Sequence, residues 1–175
     1  ANDLVLLAVE DPCALPPAIP VAPDEAGMGA QVFTIGFPLS NILGSSPKLS
    51  AGMVQGLAGA AGQELLQVSA PVQHGNSGGP LVNLRGEVVG VINAMLNAEN
   101  AFQATGEFAQ NVSFAIRGER LRALLDANPP ASRGLTATVK GWFGGQCPKR
   151  LPAEDGSLEQ AAARTAGSVV MILAE

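Results

Sequence analysis

Glycine and proline interrupt this chain so often that none of its apolar segments is long. There are 21 Gly and 13 Pro among 175 residues, while 47% of the residues are hydrophobic. Short apolar segments between turn-forming residues favour β-strands, because a long helix needs several uninterrupted turns. The length suffices for one ordinary core, so we expect one all-β globular unit with an appendage.

Six or seven short strands can be placed between residues 3 and 116. In residues 3–9 a continuous apolar run follows Asp3, which is typical of a buried strand. The other candidates are 31–38, 49–59, 63–72, two strands on either side of a turn at 84–86, and 111–116.

A short helix is predicted directly after the last of these strands. Residues 117–128 place Leu121, Leu124 and Leu125 on one helical face and stop before Pro129. This helix would close the all-β unit.

The end of the chain predicts a second helix followed by a strand. Ser157 and Gln160 have the spacing of a capping box, and Gly167 stands where a helix would end. A helix over 157–166 and a strand over 168–173 are therefore expected.

Charge and hydropathy argue against two classes of partner. The net charge is −5 and the ten Lys and Arg are scattered, so no basic stripe suits a nucleic acid. The longest apolar runs, LVLLAV and SVVMILA, are far shorter than the roughly 20 residues that cross a bilayer. No metal-ligand spacing or cofactor motif is present, so no cofactor is expected.

Two cysteines, Cys13 and Cys147, leave the redox state open. Each lies beside a proline in a loop-like stretch. They could form one long-range disulfide in an oxidising compartment, or they could be two free thiols.

The stretch HGNSGGPLV, residues 74–82, sets a serine among glycines. A serine that attacks an acyl carbon needs a tight turn to present its oxygen, and backbone N–H groups to bind the developing oxyanion. Gly75 has no side chain to block the reacting carbonyl, and Gly78 and Gly79 give the backbone freedom after the serine. Ser77 is the predicted nucleophile, and the amides of Gly75 and Ser77 are the predicted oxyanion donors.

Four segments in a fixed order make this chain resemble a known family. They are QVFTIGFPL, GNSGGPLVN, RGEVVGVINA directly after it, and VSFAI before a helix. Together they resemble the trypsin-like, chymotrypsin-fold serine endopeptidases, and within them the bacterial branch related to the high-temperature-requirement proteases of the cell envelope. The resemblance covers about residues 2–126. It implies that 1–128 are the second, antiparallel β-barrel of such a protease and that 129–175 are an extension packed on it.

The resemblance also implies catalytic roles. The family's triad aspartate precedes an apolar segment that NDLVLLAV fits, with Val5 in place of the usual alanine, so Asp3 would orient a histidine. The family's histidine lies upstream of that aspartate, and this chain starts two residues before Asp3. His74 lies three residues before Ser77, where its ring could not reach both the serine and Asp3 in the family's arrangement. We therefore expect the catalytic base to be missing from this chain.

By the same resemblance, residues near the serine turn would line a substrate pocket. The segment just before the turn has no Asp, Glu, Lys or Arg, which implies a preference for small or medium apolar side chains. The expected lining residues are Pro71, Val72, Gln73 and His74 on one wall, and Ile92, Asn93 and Ala94 on the other.

The function implied for the intact protein is hydrolysis of peptide bonds through an acyl-enzyme, in the periplasm or outside a bacterial cell. Alone, this chain is expected to be almost inactive, because a serine without its base is a poor nucleophile. Its expected partners are a peptide or protein substrate and the family's first barrel. The alternative is a non-catalytic peptide-binding or scaffold module.

The end of the chain carries a second resemblance. ARTAGSVVMILA, residues 163–174, is similar to the segment with which the family's first barrel begins. One hypothesis is that its strand packs in the place of that first barrel. The other is an added strand that covers an exposed edge of the second barrel.

Overall fold

Six strands and two helices make up the part of the chain that the structure describes. The computed structural model describes residues 4–7, 15–39, 42, 44–58, 65–95, 112–128 and 151–169. The strands are β1 (Gln31–Gly36), β2 (Lys48–Ala58), β3 (Leu65–Val68), β4 (Pro80–Asn83), β5 (Val88–Met95) and β6 (Ser113–Arg117). The helices are α1 (Gly118–Ala127) and α2 (Leu158–Ala166).

The strands form a closed barrel in the order β1–β2–β3–β6–β5–β4. Every neighbouring pair is antiparallel, and the pairing of β1 with β4, where Phe33 lies opposite Val82, closes the cylinder. The predicted all-β antiparallel barrel of six or seven strands is confirmed, and the described residues contain six of them.

An apolar cluster fills the barrel, because alternate residues of each strand point inward. All six strands contribute to it through Val32, Val54, Leu66, Val68, Leu81, Val89, Ile92 and Ala115. A slip of one residue in any strand would turn these side chains outward, so the cluster fixes the register.

Helix α2 covers part of the outside of the barrel. Phe33 and Ile35 of β1 point away from the barrel core into a second cluster with Val82 and Ala161. Ala161 belongs to α2, so this helix excludes water from the outer face of β1 and β4. Strand β1 is consequently buried on both faces.

The predicted strand over residues 3–9 is wrong where the structure describes it. Residues 4–7 belong to no strand, and Val5, Leu6 and Leu7 are exposed. A strand needs a partner for its N–H and C=O groups. The closure of β1 on β4 leaves no edge among the described strands that a seventh strand could join.

The closure of the barrel also limits where a strand at the end of the chain could pair. The described strands form a closed barrel and leave no edge for an added strand to cover, and both hypotheses for the end of the chain stay predictions. Of the predicted strand over 168–173, only residues 168 and 169 are described, and neither lies in a strand.

Helix α1 forms where the sequence predicts it, but it ends one residue before the predicted end at 128. Its last residue is Ala127, after which the Asn128 side chain donates from Nδ2 to Leu124 O at 2.9 Å. Leu121 and Leu124 are half-buried, whereas Leu125, predicted on the same face, is exposed. Only the start of the helix is buried, so its apolar face is narrower than predicted.

Helix α2 begins with the predicted capping box. Ser157 Oγ accepts from Gln160 N–H at 3.3 Å, and Gln160 Oε1 accepts from Ser157 N–H at 3.0 Å. The helix ends at Ala166, before Gly167, as predicted. Within the described ranges, neither helix is long and apolar enough to cross a membrane.

Candidate active site

Ser77 lies in the turn that joins β3 to β4, and it is exposed to solvent. The backbone bends sharply on both sides of it, because Gly75 has φ +100° and Gly78 has φ +81°. Residues with a Cβ rarely adopt such angles. The two glycines therefore allow the turn to present Ser77 at an exposed corner.

The segment after β1 holds this turn from one side. A Cβ at Gly75 would lie 2.4 Å from Phe37 O and 3.1 Å from Pro38 Cα, so only glycine fits there. Phe37 N–H donates to Gly75 O at 3.4 Å, and Leu39 N–H donates to His74 O at 3.1 Å. The turn is thus bonded to the end of the first strand of the barrel.

Strand β5 holds the turn from another side. Gly78 N–H donates to Ile92 O at 2.8 Å, and Ile92 N–H donates to Gly79 O at 2.9 Å. The pairing of β5 with β6 shifts register between Ile92 and Ala94, which places a bulge at Asn93. Bulges redirect side chains and are common beside active sites.

The backbone amides of the turn divide into two groups. Those of Asn76, Gly78 and Gly79 donate hydrogen bonds within the protein. Among the described residues, the amides of Gly75 and Ser77 donate none. Two N–H groups next to an exposed hydroxyl can therefore bind an oxygen atom of a ligand.

Each of these two amides belongs to a peptide unit whose carbonyl accepts a hydrogen bond from another part of the backbone. The His74 carbonyl accepts from Leu39 N–H at 3.1 Å, and the Asn76 carbonyl accepts from Gly79 N–H at 2.9 Å. The C=O and N–H of a trans peptide point in opposite directions, so each bond also fixes the N–H of the following residue. Both amides are oriented before any ligand binds.

Asn76, between the two donors, packs into the protein. It is 3% exposed, and its Oδ1 has no hydrogen-bond partner in the described part of the chain. A Cβ at Gly36 would lie 2.5 Å from that oxygen. The close fit of Asn76 against the end of β1 thus requires glycine at position 36.

Sequence reasoning missed Gly36, Leu39 and Asn76 as supports of the turn. All three lie in the segments QVFTIGFPL and GNSGGPLVN, and for Gly36 and Asn76 this position could have suggested a packing role. Leu39 has φ +47°, a conformation that nothing about a leucine in a sequence indicates.

The predicted pocket residues have different environments. Pro71, Gln73 and His74 are exposed, whereas Val72 and Ile92 are buried in the barrel core. Asn93 is half-buried, and the Ala94 side chain lies outside the described residues although its backbone belongs to β5. The substrate pocket remains a prediction.

Three other predicted residues, Asp3, Cys13 and Cys147, lie outside the described residues. His74 is described, and no hydrogen bond joins its ring to Ser77 in the described part of the chain. The described residues also contain no group of three or more His, Cys, Asp or Glu that could hold a metal ion.

A cavity of about 280 Å³ lies at the other end of β4 from the serine turn, and its lining includes Asp24, Glu25, Asn83, Arg85 and Glu87. Its acidic groups are largely paired. Arg117 Nε donates to Glu25 Oε1 at 3.1 Å, which holds the pKa of that carboxyl below its ordinary value. Asn83 Nδ2 donates to Glu87 Oε2 at 2.9 Å. This mixed charge selects no particular ligand.

Comparison with known proteins settles the family. A family model described as trypsin-like peptidase domain matches residues 1–91. The chain belongs to the trypsin-like peptidase family. The "Uncharacterized protein y4bJ" of Sinorhizobium fredii is 43% identical over 125 residues, covering 71% of this chain and 19% of that protein. Serine protease HTRA1B of Danio rerio is 30% identical over 150 residues, covering 81% of this chain and 28% of that protein.

A crystal structure of the inactive form of the Rv3671c protease aligns with a TM-score of 0.48 and 21% identity, over 64% of this chain and 54% of that one. The matches to y4bJ and HTRA1B span only 19% and 28% of those relatives. The resemblance drawn from the serine turn and its neighbouring segments, to trypsin-like peptidases with relatives of the HTRA type, is confirmed.

Proposed function

We propose that this chain carries the nucleophile and the oxyanion-binding amides of a serine endopeptidase that acts through an acyl-enzyme. Membership of the trypsin-like peptidase family supports this chemistry. The observation that carries the proposal is the exposed Ser77, whose own amide and that of Gly75 have no acceptor among the described residues. Both amides are already oriented, so binding an oxyanion would need little rearrangement.

In the proposed reaction the Ser77 oxygen attacks the carbonyl carbon of a peptide bond while a histidine takes the hydroxyl proton. The carbonyl oxygen becomes an oxyanion that accepts from Gly75 N–H and Ser77 N–H. The intermediate then expels the amine, which receives the proton from the histidine, and the acyl group stays on Ser77 as an ester. Water, deprotonated by the same histidine, releases the acid and restores the hydroxyl.

The proposal places that histidine upstream of Ala1 and assigns Asp3 to orient it. His74 does not suit the role, because it is exposed and its ring makes no hydrogen bond to Ser77 within the described ranges. In this scheme residues 1–128 are the second barrel of the peptidase, a first barrel supplies the base, and 129–175 are an extension. The chain alone is then almost inactive.

Labelling with a fluorophosphonate probe tests the proposal, because this probe phosphonylates an activated serine. We would compare residues 1–175 with a longer form of the protein that includes the sequence upstream of Ala1. Only the longer form should be labelled, and Ser77→Ala should abolish the labelling. Ser46→Ala, at an exposed loop serine before β2, is the matched control and should leave the labelling unchanged.

Two other outcomes would contradict the proposal in different ways. Labelling of residues 1–175 alone would show that a base, such as His74, is present in this chain. Labelling of neither form would favour the alternative, a non-catalytic peptide-binding module. This alternative predicts that the longer form binds peptides without cleaving them.

The substrates we propose are peptides or proteins with a small or medium apolar side chain at the cleaved position. The proposed pocket wall of Pro71, Val72, Gln73 and His74 contains no Asp or Glu that would attract Lys or Arg. We also propose a location in the periplasm or outside the cell. Cleavage of a peptide library by the longer form, followed by mass spectrometry, would give the preference directly.

A further inference from the structure

We propose that Leu39, in the segment after β1, positions the oxyanion-binding amide of Gly75. Its N–H binds the His74 carbonyl and so fixes the peptide unit that joins His74 to Gly75. The inference rests on the proposed function, because the orientation of this amide matters only if it binds an oxyanion. Leu39 touches no substrate in this scheme, so it is a positioning residue.

Two N–H groups of this segment donate to the serine turn, and they are unequal. Leu39 N–H lies 3.1 Å from His74 O, within the usual range for this type of bond. Phe37 N–H lies 3.4 Å from Gly75 O, beyond that range. Pro38, between them, has no N–H to donate. Leu39 therefore provides the stronger attachment.

The bond acts on Gly75 through the rigidity of the peptide unit. With the His74 oxygen held toward Leu39, the Gly75 N–H points away from Leu39. Of the two oxyanion donors, Gly75 is the one that needs such a constraint, because glycine populates positive and negative φ about equally. Without the bond, rotation about the neighbouring backbone bonds could turn the amide out of place.

The conformation of Leu39 is a second, independent observation. With φ +47°, it is the non-glycine residue with positive φ among the described residues. This conformation is unfavourable for leucine. It persists where contacts on both sides hold the residue, and here Ile42 N–H donates to Leu39 O at 2.8 Å. Such conformations cluster at functional sites.

Three variants of the longer, active form separate positioning from general structure. Leu39→Pro removes the N–H and forces φ near −65°. Leu39→Gly keeps the N–H and accepts the observed φ without strain. Met28→Pro is the control: it places proline at an exposed turn between Gly27 and Ala30, where Gly29 has φ +85° and the turn tolerates proline.

Leu39→Pro should lower kcat on a peptide substrate by about 10²-fold, the loss expected for one oxyanion donor, with KM changed much less. Affinity for a peptide boronic acid, whose tetrahedral adduct places an oxygen at the same amides, should fall in parallel. Leu39→Gly should keep most of the wild-type kcat and boronic acid affinity, and Met28→Pro should leave both quantities unchanged. A folded Leu39→Pro variant with wild-type kcat and boronic acid affinity would overturn the inference.

Hydrogen exchange in the unsubstituted protein gives a test that does not depend on whether Leu39→Pro folds. The Leu39 amide should be protected and the Gly75 amide should exchange freely until the boronic acid binds. Free exchange at Leu39 would overturn the inference even if the protein is an active peptidase. If the longer form neither cleaves peptides nor reacts with fluorophosphonate, the proposed function fails. Protection at Leu39 would then show a bond without a catalytic role, which also rejects the inference.

Discussion

Two glycines allow the backbone around Ser77 to approach the end of β1 more closely than any other residue would. Gly36 faces the buried Asn76 side chain, and Gly75 faces Phe37 O and Pro38 Cα. Both contacts occur because a Cβ is absent. At the residue scale, the geometry of the candidate site therefore depends on the absence of a Cβ at these two positions as much as on hydrogen bonds.

Gly75→Ala should destabilise the protein by about 2 kcal/mol or more, because alanine at φ +100° is strained and its Cβ would lie 2.4 Å from Phe37 O. Urea unfolding measures this. Gly27→Ala is the matched control, since its Cβ meets open space, and it should change stability by less than about 1 kcal/mol. Equal effects of the two substitutions would show that the Gly75 contact is not required.

The site was predictable from sequence only where a residue type carries the information. Ser77 and Gly75 stand in a motif whose chemistry demands them. Leu39 escapes such reasoning, because its φ depends in part on a hydrogen bond to His74, which is far along the chain. Pocket residues such as Ile92 also depend on the barrel, which determines whether a side chain points inward.

At the scale of elements, local patterns and distant contacts contribute differently. The capping box of α2 involves residues three apart, so the sequence predicts it directly. The six strands of the barrel were likewise predicted from alternation and turn residues. The segment 4–7 looks like a strand locally, but the closed barrel offers it no edge. Where α2 packs is also a property of the assembled barrel.

The packing of α2 on β1 predicts a position-specific effect within that helix. Ala161 is fully buried against Phe33, Ile35 and Val82, so Ala161→Glu would bury an unpaired charge. We expect a loss of about 3 kcal/mol or more in urea unfolding, or release of the helix from the barrel. Ala163→Glu, exposed on the same helix, should change stability by about 0.5 kcal/mol or less.

Hydrogen exchange of the α2 amides distinguishes the two forms of that loss. Release of the helix would remove protection from α2 while β1 to β6 keep theirs, and global destabilisation would lower both. If Ala161→Glu behaves like Ala163→Glu in both measurements, α2 does not pack on β1 as described.

At the scale of the whole molecule, the segment before β1 is tied to the end of the barrel. Arg117, the last residue of β6, donates to Glu25 across 92 positions of sequence. Arg122 of α1 donates to the Ala22 carbonyl in the same region. These bonds connect the start of the described fold to its closing helix, beside the cavity and away from the serine turn.

The ion pair predicts a pH dependence of stability whose sign follows from the lowered pKa of Glu25. The Arg117 hydrogen bond favours the ionised carboxyl in the folded state, so its contribution is complete above the ordinary value near 4.5 and is lost as pH falls through the lower folded pKa. The side chain is 40% exposed, so we expect at most about 1 kcal/mol at pH 7.

Glu25→Gln tests this contribution through urea unfolding at pH 7 and pH 3. Wild type should be the more stable at pH 7, and the difference should shrink toward pH 3, below the ordinary pKa near 4.5, because there the carboxyl of the unfolded protein is already protonated. Asp24→Asn is the matched control, because Asp24 is an exposed neighbour without an ion pair among the described residues, and its difference from wild type should vary less with pH. A Glu25→Gln difference that stays constant from pH 7 to pH 3 would mean that the ion pair does not tie the segment before β1 to the barrel.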